Sequence, residues 1–145
     1  MDTNLKGVLT ELSVQQAFLE KGFGVSVPLN PSSRYDMIVD AFGGLFKVQV
    51  KTASPDNHDK GFTINTCSTH RIRDKWVHTP YSSDEVDLFA TSFRGKVYVI
   101  PQSDVGNKTE MFLRTTPAVN NINTINYANK YELDNIISNM LPYNE

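Results

Sequence analysis

The chain has 145 residues, of which 39% are hydrophobic and 21% charged, and its formal net charge is −2. These values are ordinary for a single soluble globular domain that is large enough to form a hydrophobic core. The single cysteine, Cys67, excludes an intramolecular disulfide, and one cysteine with three scattered histidines does not suffice for a zinc site. No apolar run approaches the ~18 residues that span a bilayer, and the N-terminus lacks a secretory signal, so we expect a cytoplasmic protein without a membrane partner.

The N-terminal part of the chain predicts a helix and then a short strand. Residues 4–21 have the spacing of an amphipathic helix, and Gly22 follows as a stop. Glu11 lies at the edge of the apolar stripe of this helix rather than on its polar back. Residues 23–27 predict a strand that Pro28 ends. The apolar stripe consists of Leu5, Val8, Leu9, Leu12 and Leu19.

Two longer segments predict a β-hairpin. Residues 35–42 and 45–51 are apolar and β-branched enough to be strands, and the Gly43-Gly44 pair between them fits a two-residue turn. If these two glycines form the loop, Asp36 falls directly opposite Lys51.

The predicted register gathers polar groups on one face of the hairpin. Directly opposed residues point to the same face, and Gln49 lies diagonally about 7–8 Å from Asp36, within side-chain reach. An acid, an amide oxygen and the ammonium of Lys51 then stand together. Such a group is typical of phosphodiester cleavage, because it offers ligands for a hard cation and a positive charge for the nucleophile or transition state. Asp40 is expected to pair structurally with Lys47.

The rest of the chain predicts further strands and a C-terminal helix, so we expect an α/β architecture. Residues 104–128 show weak patterning and are expected to be mostly irregular, and no element is predicted for the polar segment 68–83. The predicted elements are a mobile loop at 54–61, strands at 62–66, 85–93, 96–101 and 110–114, and a helix at 131–141.

Basic residues are unevenly distributed along the chain. Residues 34–75 contain seven basic and five acidic side chains, whereas residues 81–145 contain five basic and eight acidic ones. Between residues 70 and 78, basic side chains alternate with histidines and the only tryptophan, a pattern that suits contacts with the phosphates and grooves of DNA. The alternative is that this segment is the solvated edge of a loop. The candidate DNA-binding residues are Arg34, Tyr35, Lys60, His70, Arg71, Arg73, Lys75 and Trp76.

A helix that carries a glutamate, then Asp36, then Gln49-Val50-Lys51 on a hairpin, resembles the PD-(D/E)XK nuclease superfamily. Lys6-Gly7-x-x-x-Glu11 is similar to the helix that supplies a third acid in archaeal Holliday junction resolvases. The resemblance covers roughly residues 5–101. Segments similar to the intron-encoded homing endonucleases of this superfamily are 34–36, 85–89 and 97–101.

The resemblance implies a restriction-endonuclease-like core with a mixed sheet of about four to five strands flanked by helices. It also implies a metal-dependent, site-specific endonuclease that cuts duplex DNA. A Holliday junction resolvase, a restriction nuclease and a catalytically weakened DNA-binding module are the alternatives. Residues 1–145 would form a single endonuclease domain in which residues 102–145 contribute to DNA contact or oligomerisation.

The resemblance also assigns roles to residues. Mg²⁺ or Mn²⁺ would be held by Asp36, the backbone carbonyl of Val50 and, through water, Glu11, while Lys51 would orient the attacking water. The sequence departs from the family pattern at Gln49, which keeps an oxygen but supplies no charge where the family has an acid. The alternative to these roles is that Asp36 and Lys51 form only a cross-strand pair and that Glu11 faces the solvent.

A homo-oligomer, either a dimer or a tetramer, is expected as well. One active site cuts one strand, so a double-strand break requires two sites related by symmetry. The candidate surface lies on the C-terminal helix, for which the alternative role is simply to cover the sheet. The residues concerned are Leu133, Ile136, Ile137, Met140 and Leu141.

Overall fold

The computed structural model describes residues 1–120 and 123–140. Within these residues, no helix is both long enough and apolar enough to cross a bilayer. The helices are α1 (Thr3–Glu20), α2 (Gln102–Val105) and α3 (Leu133–Met140), with a 3-10 helix at Ala128–Tyr131. The strands are β1 (Gly24–Ser26), β2 (Met37–Ala41), β3 (Gly44–Val50), β4 (Ser54–Pro55), β5 (Gly61–Asn65), β6 (Cys67–Ile72), β7 (Lys75–Pro80), β8 (Leu88–Phe93), β9 (Lys96–Pro101) and β10 (Glu110–Arg114).

A five-stranded sheet in the order β1-β2-β3-β8-β9 forms the centre of the fold. Strands β3 and β8 run parallel, and the other neighbours are antiparallel, so the sheet is mixed, as expected. The predicted strands at 62–66 and 110–114 are also confirmed within one residue, but they pair with each other in a second sheet of order β10-β5-β4. Helix α1 packs on the central sheet.

The turn between β2 and β3 lies one residue earlier than the sequence predicts. Its central residues are Phe42 and Gly43, with φ values of 54° and 77°, which is the left-handed geometry of a tight hairpin turn. Phe42 adopts this unusual conformation while its ring packs edge-on against Phe23 at 5.4 Å between centroids. The expected pairing of Asp40 with Lys47 is therefore wrong.

In the observed register, Asp40 lies opposite Leu45 and Ile38 lies opposite Lys47. The amine of Lys47 donates instead to the carbonyl of Asp84 at 2.7 Å. The register differs from the predicted one by two residues, and because side chains alternate with period two, every side chain keeps its predicted face. Asp36 therefore does not lie directly opposite Lys51 as predicted, but the predicted site residues of the hairpin are still on one face.

Helix α1 buries a different face from the one predicted. The fully buried residues are Val14 and Phe18, and Glu11 on the same side is half-buried. Two faces of this helix carry apolar side chains, and periodicity alone does not show which of them meets the sheet. The predicted core stripe is exposed, with between 44% and 57% of each side chain accessible in Leu5, Val8, Leu9, Leu12 and Leu19.

The C-terminal helix covers the central sheet. Leu133 and Ile136 are buried in the core, and Ile137 packs against it. These residues are therefore not available as the predicted oligomer surface. The side chain of Met140 and all of Leu141 lie outside the described residues.

A two-stranded sheet formed by β6 and β7, which we call the arm (residues 67–80), was not predicted from the sequence. It joins neither of the other two sheets, and Arg73 and Asp74 form its turn with positive φ values of 48° and 63°. Most of its side chains are exposed on both faces. Its strands therefore lack the apolar alternation by which a half-buried strand is recognised in a sequence.

Candidate active site

Asp36 is held at the point where the chain enters β2. Its backbone N–H donates to the carbonyl of Val48 at 2.8 Å, and its carboxylate accepts the N–H of Val50 at 2.8 Å. Val50 is the residue between Gln49 and Lys51 on the neighbouring strand. One carboxylate is thereby fixed beside the strand segment that carries the other predicted site residues.

Glu11 approaches this group from α1. Partial burial, followed by the negative charge of Asp36, raises the pKa of Glu11 above its ordinary value. Burial likewise raises the pKa of Asp36, although the Val50 N–H and the positive charge of Lys51 act in the opposite direction. The structure therefore brings the two predicted acids together in a place where negative charge is disfavoured.

Lys51 is half-buried, and its amine bonds to groups outside the hairpin. Its Nζ donates to the carbonyl of Cys67 at 3.1 Å and to the hydroxyl of Tyr81 at 3.3 Å. Burial is the main cause that lowers the pKa of Lys51, while the charge of Asp36 raises it. Among the salt bridges of the described residues, none joins Lys51 to Asp36, so the plain cross-strand pair is not the arrangement found.

Arg34, predicted to contact DNA, has internal partners for its guanidinium. It donates to the carboxylate of Glu85 at 2.7 Å, the hydroxyl of Ser68 at 2.7 Å and the carbonyl of Pro80 at 3.3 Å. It also lies 3.9 Å from the centroid of the Tyr81 ring. Sequence reasoning overlooked Tyr81, for which no periodicity or motif gives a signal.

The arm carries five of the predicted DNA-binding residues in exposed positions. Arg71 lies opposite Trp76 on one face, with the guanidinium 5.9 Å from the indole centroid. His70 and Lys75 lie on the other face, and Arg73 is in the turn. The arm thus presents positive charge on both faces and at its tip.

Two other predicted DNA-binding residues lie away from the arm. Lys60 immediately precedes β5, whereas the arm follows the other end of that five-residue strand, roughly 16 Å away at about 3.3 Å per residue. Tyr35 is half-buried beside Asp36, at the entrance to β2. The structure therefore does not gather all the predicted DNA contacts on one element.

An open cleft of about 480 Å³ lies beside Lys51, the residue that follows β3. Lys6 from α1, Lys51 and the first residues of the arm, Cys67 and Thr69, contribute to its walls. Lysine side chains from two elements therefore line a space that is open to solvent. Such a space can accept a phosphate group.

The chemistry of the predicted ligands suits one hard cation. Within residues 1–120 and 123–140, no group of three or more His, Cys, Asp or Glu side chains is close enough to bind a metal. The predicted ligands are the carboxylates of Glu11 and Asp36, which the structure brings together, and the amide oxygen of Gln49 and the carbonyl of Val50 on the adjoining strand. Mg²⁺ suits such a set because it takes one or two carboxylates and completes its shell with waters and substrate oxygens.

We expect Asp36→Asn to be more stable than the wild type at neutral pH without divalent cations. A raised pKa means that the ionised carboxylate is penalised in the folded state at every pH above that pKa. As the pH falls through the raised pKa to below the ordinary value of 3.8, the carboxyl group becomes protonated and this penalty is lost. The advantage in stability of Asp36→Asn over the wild type is lost with it. Melting temperatures at pH 7 and pH 3 measure this difference.

Asp40→Asn is the matched control, because Asp40 is an exposed residue on the same strand and its replacement should leave the melting temperature nearly unchanged. An Asp36→Asn variant that melts at or below the wild-type temperature at pH 7 would contradict the electrostatic description of the site.

Comparison with known proteins bears on the family and the fold. A family model for PD-(D/E)XK endonucleases matches residues 1–134. Protein 5.3 of Escherichia phage T7 is 27% identical over 111 residues, which cover 76% of this chain and 89% of that protein. The structure of a bacterial homing endonuclease, I-Ssp6803I, shares the fold with a TM-score of 0.80 at 23% identity, over 95% of this chain and 93% of that one.

These comparisons confirm the resemblance seen in the sequence and the restriction-endonuclease-like form of the α/β core. The family model spans all the strands and the helix that carries Glu11. We conclude that this chain belongs to the PD-(D/E)XK endonuclease family.

Proposed function

We propose that the chain is a metal-dependent, site-specific endonuclease of the homing type that hydrolyses phosphodiester bonds in duplex DNA, as one domain acting in the cytoplasm. The observation that carries the proposal is the anchoring of the Asp36 carboxylate to the Val50 N–H, between Gln49 and Lys51 and beside Glu11. The likeness in fold to a bacterial homing endonuclease supports the choice of type.

The residues of the site divide the chemistry between them. Asp36, the Val50 carbonyl and, through water, Glu11 would hold Mg²⁺ or Mn²⁺. When bound, the metal polarises a phosphoryl oxygen and lowers the pKa of a water ligand. Lys51 would direct its ammonium toward the attacking water and the phosphate, and Gln49 would position that water or the metal through its amide oxygen.

The arm is the proposed means of DNA recognition. A two-stranded ribbon fits the major groove of B-DNA, which is about 12 Å wide. Arg71, Arg73 and Lys75 supply phosphate contacts against the single acid Asp74, and Trp76 supplies an aromatic surface. The net charge of −2 does not oppose this proposal, because the positive charge is concentrated where the DNA would lie.

Gln49 supports a second candidate, a DNA-binding module with weakened cleavage. A neutral amide in place of an acid leaves the site with two carboxylates and therefore a lower affinity for the metal. The preferred substrate distinguishes the other nuclease functions from the homing type. A resolvase would prefer a four-way junction, and a restriction nuclease would prefer a short linear site. Cleavage of plasmid, junction and long genomic DNA at increasing Mg²⁺ separates these possibilities.

We expect the catalytic substitutions Asp36→Ala and Lys51→Ala to abolish Mg²⁺-dependent cleavage, with DNA binding nearly intact. Gln49→Glu should retain cleavage at lower Mg²⁺, because it adds an anionic ligand, whereas Gln49→Leu should lose most activity because no oxygen remains. Plasmid nicking across a Mg²⁺ titration, with filter binding in parallel, measures both properties.

Asp40→Ala controls for the loss of a carboxylate on the same strand and should cut normally. Normal cutting by Asp36→Ala or Lys51→Ala would refute the assignment of the active site. Equal activity of Gln49→Leu and the wild type would show that Gln49 is not part of that site.

We expect Arg71→Ala, Arg73→Ala and Lys75→Ala each to weaken DNA binding and to reduce the slope of log affinity against log salt by about one unit, because each removes one phosphate contact. Titrations at several salt concentrations measure this slope. Lys130→Ala removes an exposed lysine outside the arm and should leave the slope unchanged. An unaltered slope in all three arm variants would show that the arm does not contact phosphates.

We also propose that the protein is a homo-oligomer that uses the exposed stripe of α1 as an interface with a second copy. Leu5, Leu12 and Leu19 recur every seven residues, and Val8 lies between the first two at the intermediate position of a heptad. This narrow spacing is typical of a helix that pairs with another helix. Such a contact would bring together two active sites related by symmetry, which a double-strand break requires.

Light scattering at micromolar concentration should give the mass of a dimer or tetramer for the wild type. Leu12→Asp places a charge in the centre of the stripe and should produce a monomer with an unchanged circular dichroism spectrum. Ser13→Asp adds the same charge at the neighbouring exposed position and should remain associated. A monomeric wild type, or an associated Leu12→Asp variant, would refute this interface.

A further inference from the structure

We propose that Arg34 and Tyr81 are positioning residues that anchor the base of the arm to the catalytic centre and thereby set the position of the Lys51 amine. This inference rests on the proposed function, since it names the residues that keep the lysine of the same site in position when the arm binds DNA. Arg34 is thereby given a role inside the protein rather than at the DNA surface.

The anchor acts on both strands of the arm at one cross-strand pair. Cys67 begins β6 and Pro80 ends β7, and the two lie directly opposite each other. The carbonyl of Cys67 accepts from the Lys51 amine at 3.1 Å, and the carbonyl of Pro80 accepts from the Arg34 guanidinium at 3.3 Å. Each strand is therefore tied to the active-site side of the protein by one cationic side chain.

Tyr81 connects these two cations. It follows the arm directly and is only 5% exposed, and its ring packs edge-on against Phe89 of β8 at 5.7 Å. The ring centroid lies 3.9 Å from the Arg34 guanidinium carbon and 4.9 Å from the Lys51 amine, and its hydroxyl accepts from that amine at 3.3 Å. A rigid aromatic ring bound to the central sheet thus fixes both charges.

Glu85 locks the arginine in this position. One carboxylate oxygen accepts from Arg34 at 2.7 Å, and the other accepts the backbone N–H of Ser82 at 3.0 Å. The hydroxyl of Ser68, the second residue of the arm, completes the contacts of the guanidinium at 2.7 Å. The planar fork of an arginine makes such a set of directed bonds, which a lysine cannot reproduce.

The consequence for catalysis follows from the bonds of the amine. Lys51 donates to a carbonyl that belongs to the arm and to a hydroxyl that does not. A displacement of β6 by bound DNA therefore moves one acceptor while Tyr81 keeps the other in place. The hydroxyl of Tyr81 prevents the amine from following the arm away from the cleft, so that a productive position is retained when DNA is bound.

Hydrogen exchange of the free protein tests the anchor without any cleavage. Arg34→Gln and Tyr81→Leu should each accelerate exchange at amides of the arm by about tenfold, which corresponds to roughly 1.4 kcal/mol of lost local stability. Tyr81→Phe keeps the ring and should leave the exchange of the arm unchanged. Wild-type exchange rates throughout the arm in both Arg34→Gln and Tyr81→Leu would overturn the anchor.

Single-turnover cleavage tests the effect on Lys51. Tyr81→Phe should reduce the cleavage rate at saturating protein by about tenfold, because a hydrogen bond to a charged group is lost at the reacting centre. Its DNA affinity, read from the fluorescence of Trp76, the only tryptophan, should stay within about twofold of the wild type. A merely structural tyrosine would not change the rate at unchanged affinity.

Tyr131→Phe is the matched control, because it also removes one hydroxyl with one hydrogen-bond partner, Asp104 at 2.8 Å, from a buried ring outside the site. It should cut at the wild-type rate. An unchanged rate in Tyr81→Phe would overturn the positioning role. A wild type that cuts no DNA with Mg²⁺ or Mn²⁺ would instead defeat the proposed function, and the exchange rates would still decide whether the anchor exists.

Discussion

The hydrogen bond from the Val50 N–H to the Asp36 carboxylate is the constraint on which the rest of the site depends. Because it joins a side chain at the start of β2 to the backbone of β3, it fixes the carboxylate relative to Gln49 and Lys51, whose directions the sheet determines. Glu11 enters the same space only because α1 packs on that sheet. The predicted site residues thus lie on regular elements or directly beside their ends, which gives more accurate positions than long loops do.

Negative charge is disfavoured at the two acids. Two carboxylates lie close enough that the charge of one raises the pKa of the other, and burial acts in the same direction on both. The lysine does not neutralise them directly, because its amine bonds to Cys67 and Tyr81. An acid at position 49 would add a third negative charge beside these two carboxylates, whereas the glutamine adds none.

The fold separates the proposed DNA-binding arm from the proposed catalytic group and then links the two. The arm exposes its charges on both faces and contributes little to the core, whereas Asp36 and Lys51 adjoin strands of the central sheet and Glu11 lies on the helix packed against it. The link consists of a few polar contacts around Tyr81 at the base of the arm. The exposed leucines of α1 are a third, separate feature, since they neither fill the core nor belong to the arm.

The sequence by itself determined the α/β class, most strand positions and the grouping of Asp36, Gln49 and Lys51 on one face, because period-two alternation survives an error of two residues in the register. Only the tertiary structure decided which face of α1 is buried, since both faces carry apolar side chains. It alone revealed the arm, whose strands bury neither face and leave no periodic pattern. It also decided the partners of Lys51 and Arg34, because contacts with Tyr81 and Glu85, 30 and 51 residues away along the chain, arise from the packing of separate elements that no local spacing encodes.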